Sequence, residues 1–274
     1  MLDKKEIERT IITKFRKVIW RPFTKAIKDY ELIKENDKIA VCISGGKDSM
    51  LMAKCLEELQ RHGKVKFELV YLVMNPGYNE ENKNKIIKNA EILGIDINIF
   101  NSDIFEIVNN EKKGSPCYLC ARMRRGCLYK KAQELGCNKI ALGHHFDDVI
   151  ETIMLNIMYA GEYKSMPPKL VSQNYEGMEL IRPMYLVREK DIISWSKYND
   201  LSFINCACRF TENATKNINN SKRLSIKHLI QQLKENNPMI EYNIFSSSEN
   251  VNIDTILGTK DDKEKKTFID MYKK

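Results

Sequence analysis

Apolar residues at Ile7, Ile11, Phe15, Val18 and Ile19 recur every three or four positions and predict a helix through the first thirty residues. The pattern then changes period. An uninterrupted apolar run at 39–43 predicts a buried strand; a turn at Ser44-Gly45-Gly46 follows, then a helix with Met52, Cys55, Leu56 and Leu59 on one face. The run 67–74, bounded by Asn75-Pro76-Gly77, predicts a second strand, and 80–93 a second helix of this alternating series. Ile95, Ile97 and Ile99 alternate with Asp96 and Asn98, which predicts a half-exposed third strand near a sheet edge. A fourth strand is expected at 139–142 after another helical segment. Short strands alternating with helices predict an α/β fold, a doubly wound parallel sheet over roughly 36–205, with ligands at the carboxyl ends of the strands. The polar stretch 209–221 reads as a loop, 224–233 as a helix, and the charged tail 260–274 as fraying chain or a final surface helix.

Charge refines this picture. Across 274 residues, 45 Lys+Arg stand against 37 Asp+Glu, a net charge of +8. Six bases, Lys14, Arg16, Lys17, Arg21, Lys25 and Lys28, fall in the first helical region without an acid between them, interleaved with Phe15, Trp20 and Phe23. That pattern fits either a solvated amphipathic face or a face turned to nucleic acid. With 43% hydrophobic and 30% charged residues, a disordered or collagen-like chain is excluded. No apolar run approaches the ~20 residues needed to cross a bilayer, and the N-terminus lacks a signal-like apolar region, so a cytoplasmic address is expected. The length suggests about two domains, or one α/β domain with extensions.

Eight cysteines in such a setting are expected to stay reduced. Cys42, Cys55, Cys127 and Cys137 lie singly in helix-like or strand-like segments and read as small buried hydrophobes. Cys117 and Cys120 form a Cys-x-x-Cys; Cys206 and Cys208 form a Cys-x-Cys. Neighbouring Arg122, Arg124 and Arg125 would favour thiolates at the first pair. All four thiols suit a zinc site, and three suit a 4Fe-4S cluster with one open iron. A redox pair remains a further reading of the first motif.

Ser44-Gly45-Gly46-Lys47-Asp48-Ser49 sits between a strand and a helix, where two glycines, free N–H groups and the helix dipole suit an anion. Lys47 offers phosphate neutralisation, and Asp48 either a magnesium ligand or a helix cap. The string is neither a Walker loop nor a dinucleotide-binding Gly-x-Gly-x-x-Gly. It resembles the Ser-Gly-Gly-x-Asp-Ser signature of the PP-loop ATP pyrophosphatases, which implies a sheet of adenine-nucleotide α-hydrolase type and cleavage of ATP between the α and β phosphates.

A closer resemblance rests on Gly143-His144-His145-Phe146-Asp147-Asp148 with Glu151-Thr152, on Met166-Pro167-Pro168-Lys169-Leu170, on Arg182-Pro183 and on Val187-Arg188-Glu189-Lys190-Asp191. With the loop and the cysteines, these segments are similar in kind and order to the tRNA 2-thiocytidine synthetase family of tRNA-cytidine 2-sulfurtransferases. The resemblance implies an enzyme that adenylates the C2 oxygen of an anticodon-loop cytidine, position 32, and replaces it with sulfur, giving 2-thiocytidine, AMP and pyrophosphate. It implies a 4Fe-4S cluster on Cys117, Cys120 and Cys206. The chain departs from the family's Cys-x-x-Cys at the last site, so Cys208 is the alternative third ligand. ATP would be held by Ser44, Gly45, Gly46, Lys47, Asp48 and Ser49 with Mg2+, and Lys47, Asp48, His145 and Asp148 would act in catalysis.

Segment 166–170 reads as a loop that positions substrate, while Arg182, Arg188 and Arg223 read equally as phosphate contacts or surface charges. Expected partners are tRNA, a sulfur donor (a cysteine desulfurase persulfide or sulfide) and a second copy of the chain. Three divisions are expected: a basic helical extension at 1–35, an ATP-binding and Fe-S catalytic domain at 36–208, and a polar loop with helical extension at 209–274. The competing readings are uridine thiolation by the same apparatus and a zinc-stabilised RNA-binding protein.

Overall fold

The computed structural model describes residues 3–102, 104, 116–204, 222–261 and 264–272, with 116–121 described in backbone only. The first apolar stripe forms α1 (Lys4–Ile12), a π-helical turn (Arg16–Trp20) and α2 (Arg21–Asp29). These bury Ile7, Ile11, Phe15, Ile19 and Phe23 in the principal core. Val18 is 39% exposed instead. The wider turn shifts the stripe, so Ile19 takes the inward position. All six bases of this region are exposed while Phe15 and Phe23 point inward and Trp20 stacks on Phe23, so the aromatic rings belong to packing.

Strands β1 (Lys38–Ile43), β2 (Glu68–Asn75), β3 (Ile97–Asn101) and β4 (Lys139–Ala141) fall where the sequence predicts them. Two more, β5 (Lys169–Val171) and β6 (Glu179–Ile181), were not predicted. Three residues are too few to display an alternation. The sheet order is β3-β2-β1-β4-β6-β5, parallel throughout except for the antiparallel edge pair β5–β6. Around it lie α3 (Lys47–His62), α4 (Glu80–Leu93), α5 (Pro116–Glu134), α6 (Phe146–Leu155) and α7 (Glu189–Tyr198).

Both faces of the sheet are covered, as parallel sheets require. Along β1, Ile39, Val41 and Ile43 pack into one core with Leu51, Leu56 and Trp195, while Ala40 and Cys42 join the other with Tyr129 and Ala132 of α5. From β1 the sheet runs to β2 and β3 on one side and to β4 on the other. That reversal opens a crevice at the carboxyl ends of β1 and β4.

Residues 1–149 and 166–221 make up one compact unit, which holds the whole six-stranded sheet; residues 150–165 and 222–274 make up a second. The second unit contains α8 (Lys222–Asn236), α9 (Ile240–Ser247), a hairpin of β7 (Gly258–Lys260) and β8 (Lys265–Thr267), and α10 (Phe268–Tyr272). Lys234 and Glu241, 2.6 Å apart, tie α8 to α9. The hairpin lies where the sequence suggested only fraying or a helix, because its exposed charges give no apolar alternation. Among the described residues no helix is long and apolar enough to cross a membrane.

Candidate nucleotide and RNA site

The loop after β1 is held by its own serines. Ser44 N–H donates to Ser49 Oγ at 3.1 Å, the two hydroxyls lie 3.1 Å apart, and Ser49 Oγ donates to Gly46 O at 3.0 Å. Gly45 has φ +83°, a conformation that favours glycine, and a Cβ there would stand 2.6 Å from Ile86 Cγ1 and 2.7 Å from Ile204 Cδ1. Gly143, after β4, is needed for close approach: a Cβ on it would meet Ser49 N at 3.0 Å. The two loops are thereby packed against each other at the first turn of α3.

Lys47 Nζ lies 3.2 Å from both Asp48 Oδ1 and Glu189 Oε1. Burial alone would lower its pKa, but the two carboxylates outweigh that and raise it. Burial pushes the Asp48 carboxyl up despite the opposing attraction of His145 and Lys47. Asp48 Oδ1 is buried and accepts no hydrogen bond, which is the condition of a carboxylate oxygen suited to a cation.

Next to this loop, His145 is buried among carboxylates: its Nε2 lies 3.9 Å from Asp48, and its Nδ1 lies 3.9 Å from Asp147 and 3.5 Å from Asp148. Backbone N–H of His145 donates to Asp148 Oδ2 at 3.1 Å, and Asp148 N–H donates to His145 Nδ1 at 3.4 Å, a reciprocal cap at the start of α6. Asp147 accepts from Glu189 N–H at 2.7 Å and so carries the start of α7 to Lys47.

A cavity of about 300 Å³ opens here, lined by Ser44, Asp48 and Ser49, by His144 and Asp148, and by Arg124 of α5. His144 therefore faces the cavity, and His145 stands behind it. Nothing in the sequence separates the two histidines. Only the strand's exit direction does.

The three candidate arginines have different surroundings. Arg188 lies 3.5 Å from Asp147 and over the Phe146 ring, and Arg223, in the second unit, lies 3.7 Å from Glu151. Arg182 is 5% exposed and anchors the segment before β5, its Nη1 donating to Pro167 O and its N–H to Pro168 O.

Of the cysteines, Cys42, Cys55 and Cys137 are buried and Cys127 is half-buried. Cys42 also lines the cavity, and burial pushes its thiol up to about 12, which makes it inert at neutral pH. Cys117 and Cys120 occupy the start of α5 at helical spacing i, i+3, with Arg124 four residues on. Cys206 and Cys208 lie outside the described residues. The last described residue before them, Ile204, is held at the nucleotide loop, its N–H donating to Gly45 O at 3.4 Å. Paired soft thiols at i, i+3, with two more shortly after Ile204 in the sequence, fit the donor set of an iron-sulfur cluster.

Comparison with known proteins agrees with this geometry. Residues 15–254 match the PP-loop domain family. The tRNA-cytidine(32) 2-sulfurtransferase of Alcanivorax borkumensis is 39% identical over 249 residues, covering 89% of this chain and 84% of that one. The enzymes of the same name from Shewanella denitrificans and Citrifermentans bemidjiense are 38% and 36% identical, covering 90% and 83% of this chain and 75% and 88% of theirs. Among solved structures, the fold is similar to that of the U34-tRNA thiolase NcsA from Methanococcus maripaludis with its [4Fe-4S] cluster, at TM-score 0.66 and 24% identity over 84% of this chain and 76% of that one. On its sequence, the chain belongs to the PP-loop family and, within it, to the tRNA-cytidine(32) 2-sulfurtransferases.

Proposed function

We propose that the protein is an ATP-dependent tRNA sulfurtransferase that converts the anticodon-loop cytidine at position 32 to 2-thiocytidine. One observation carries this reading: a single cavity is walled both by the loop of Ser44, Asp48 and Ser49 and by Arg124 of the helix that begins with Cys117 and Cys120. This supports a reading in which ATP activation and sulfur delivery share one cavity.

The N–H groups of Gly45 and Gly46 and the ammonium of Lys47 take the phosphates of ATP, with Lys47 leaving Glu189 as it does so. Asp48, whose buried Oδ1 accepts no hydrogen bond, would hold Mg2+ beside them. The C2 oxygen of the cytidine attacks the α-phosphorus, the bond to the β-phosphate breaks, and pyrophosphate leaves. Sulfur then replaces the adenylated oxygen at C2 and AMP departs. Asp148 and His145 act as positioning residues, each fixing the other at the cavity wall. Cys117, Cys120 and Cys206, with Cys208 as the alternative, would hold the 4Fe-4S cluster, and its chemistry when bound would be to bind the sulfur destined for the base. The sulfur itself arrives as sulfide, or from a cysteine desulfurase persulfide whose S–S bond is cleaved by a thiol reductant that becomes a disulfide. A target base must leave its stack to reach a cavity at the carboxyl ends of the central strands, so the substrate is the single-stranded anticodon loop.

The test is anaerobic purification with iron, acid-labile sulfide and zinc measured alongside the visible spectrum, for wild type, Cys117→Ala, Cys206→Ala and Cys208→Ala. About four irons and four sulfides are expected, lost with Cys117→Ala and with one of the later pair. One zinc without iron would overturn the cluster and favour a zinc-stabilised RNA-binding protein.

A further inference from the structure

We propose that Arg182 is the buried half of a binding station for a backbone phosphate of the RNA substrate, with Arg125 at its rim. The inference rests on the tRNA reading above and adds to it where the RNA is gripped beside the reacting base.

Three neighbouring strands deliver the polar loops of this unit. The nucleotide loop follows β1, the two histidines follow β4, and Arg182 follows Ile181 at the end of β6. Strands lie about 4.8 Å apart, so the backbone of Arg182 stands roughly 10 Å across the sheet from the nucleotide loop. That places it beside the phosphates of ATP and outside their cradle.

Arg182 is also unlike the other arginines that the sequence picked out. It is 5% exposed, its Nε is buried without an acceptor, and its one side-chain partner is the carbonyl of Pro167. Among the described residues no carboxylate pairs with it, whereas Arg188 and Arg223 each have one. Burial, and then the like charge of Arg125, lower its pKa to about 10, so it remains a cation at neutral pH. A buried cation normally has a charged partner. Here the strongest influence from a charged side chain is the repulsion of a second guanidinium, Arg125, with Asp148 opposing it only weakly.

A guanidinium fork suits a phosphate in two-point contact, and two of them suit no cation. Arg125 and Arg122, three residues apart on one face of α5, are both exposed, so positive charge extends along the helix from the residue whose charge acts on Arg182. That continuity favours a polyanion over a single small anion.

The test compares wild type, Arg182→Met, Arg182→Lys and Arg125→Met. It measures anticodon stem-loop RNA binding across a salt series, the KM for ATP, and the thermal midpoint of the substrate-free protein. Arg182→Met is expected to weaken RNA binding about tenfold and to flatten the log–log salt slope by about one, while the KM for ATP stays within about twofold. Its midpoint is expected to hold or rise, because an unpaired buried charge has gone. Arg182→Lys should keep the slope and recover part of the affinity. Arg125→Met, at an exposed position, should weaken RNA binding about threefold with an unchanged midpoint.

Unchanged RNA affinity and slope in both methionine variants would overturn the proposal. So would a rise in the KM for ATP in place of the RNA effect, which would make this a nucleotide subsite. A fall in midpoint with RNA binding intact would reduce Arg182 to a clamp on Pro167. If wild type itself binds no RNA, the tRNA reading fails and this inference fails with it.

Discussion

At their amino ends, β1, β4 and β6 share a closed polar network. Lys139, 2% exposed, lies 2.9 Å from Asp37 and 3.0 Å from Glu179, and donates to Leu32 O at 3.0 Å. Asn138 donates to Asp37 at 2.8 Å and accepts from Lys38 N–H at 2.8 Å. At their carboxyl ends the same strands carry Asp48, whose buried Oδ1 accepts no hydrogen bond although Lys47 Nζ stands 3.2 Å away, and Arg182 with a nitrogen lacking an acceptor. One end has its charges matched within the protein and locks the register of three strands. The other leaves polar groups in want of partners, as a site does whose missing partners are its substrates.

The largest expected effect breaks the closed end. Lys139→Ala leaves Asp37 buried and unpaired and should cost about 3–5 kcal/mol of stability, read by urea unfolding. The thiolation rate of the remaining folded protein should be unchanged. A loss below about 1 kcal/mol would show that this end is no more critical than a surface pair.

Asp48→Asn sharpens the contrast from the open side. Thiolation should fall about a hundredfold or more, while the substrate-free protein is no less stable than wild type. The sign follows from its raised pKa. The folded protein holds the Asp48 proton more tightly than the unfolded chain, so ionisation erodes stability as pH rises above the ordinary aspartate range. Asparagine removes that penalty. The variant's advantage in unfolding free energy should therefore grow with pH through this window and then level off; a variant less stable than wild type at neutral pH would contradict the open-end reading.

Gly45→Ala is next in size. Strain at φ +83° and overlap with Ile86 and Ile204 should cost about 1–3 kcal/mol and raise the KM for ATP, measured by calorimetry and by pyrophosphate release. Replacing Lys14, Arg16 and Lys17 with glutamine should change stability by about 0.5 kcal/mol or less. It should weaken tRNA binding in a salt-dependent way with kcat intact, because the aromatic residues of this region are turned to the core and leave only charge outside.

The sequence made β1 to β4 legible because each is a continuous apolar run or a clear alternation between helices. It made the nucleotide loop legible because six residues of special chemistry are contiguous. What it hid was arranged across the chain. β5 and β6 are short, and β6 matters chiefly for delivering Arg182 beside Leu142 at the end of β4. Asp37, Asn138, Lys139 and Glu179 look like ordinary surface charges until β1, β4 and β6 are aligned. Glu189 was visible only as part of a family segment, yet it contacts Lys47, 142 residues away. His144 and His145 are adjacent and chemically identical, and strand exit geometry alone separates wall from support.

The central claim is thiolation of a cytidine. The direct measurement is to incubate the cluster-loaded enzyme anaerobically with unmodified tRNA, ATP, Mg2+ and sulfide, then digest the tRNA and identify its nucleosides by mass. The expected result is 2-thiocytidine formed one-to-one with AMP and pyrophosphate, and lost with Asp48→Asn. A 2-thiouridine product, or no thionucleoside from protein that holds its iron, would contradict it.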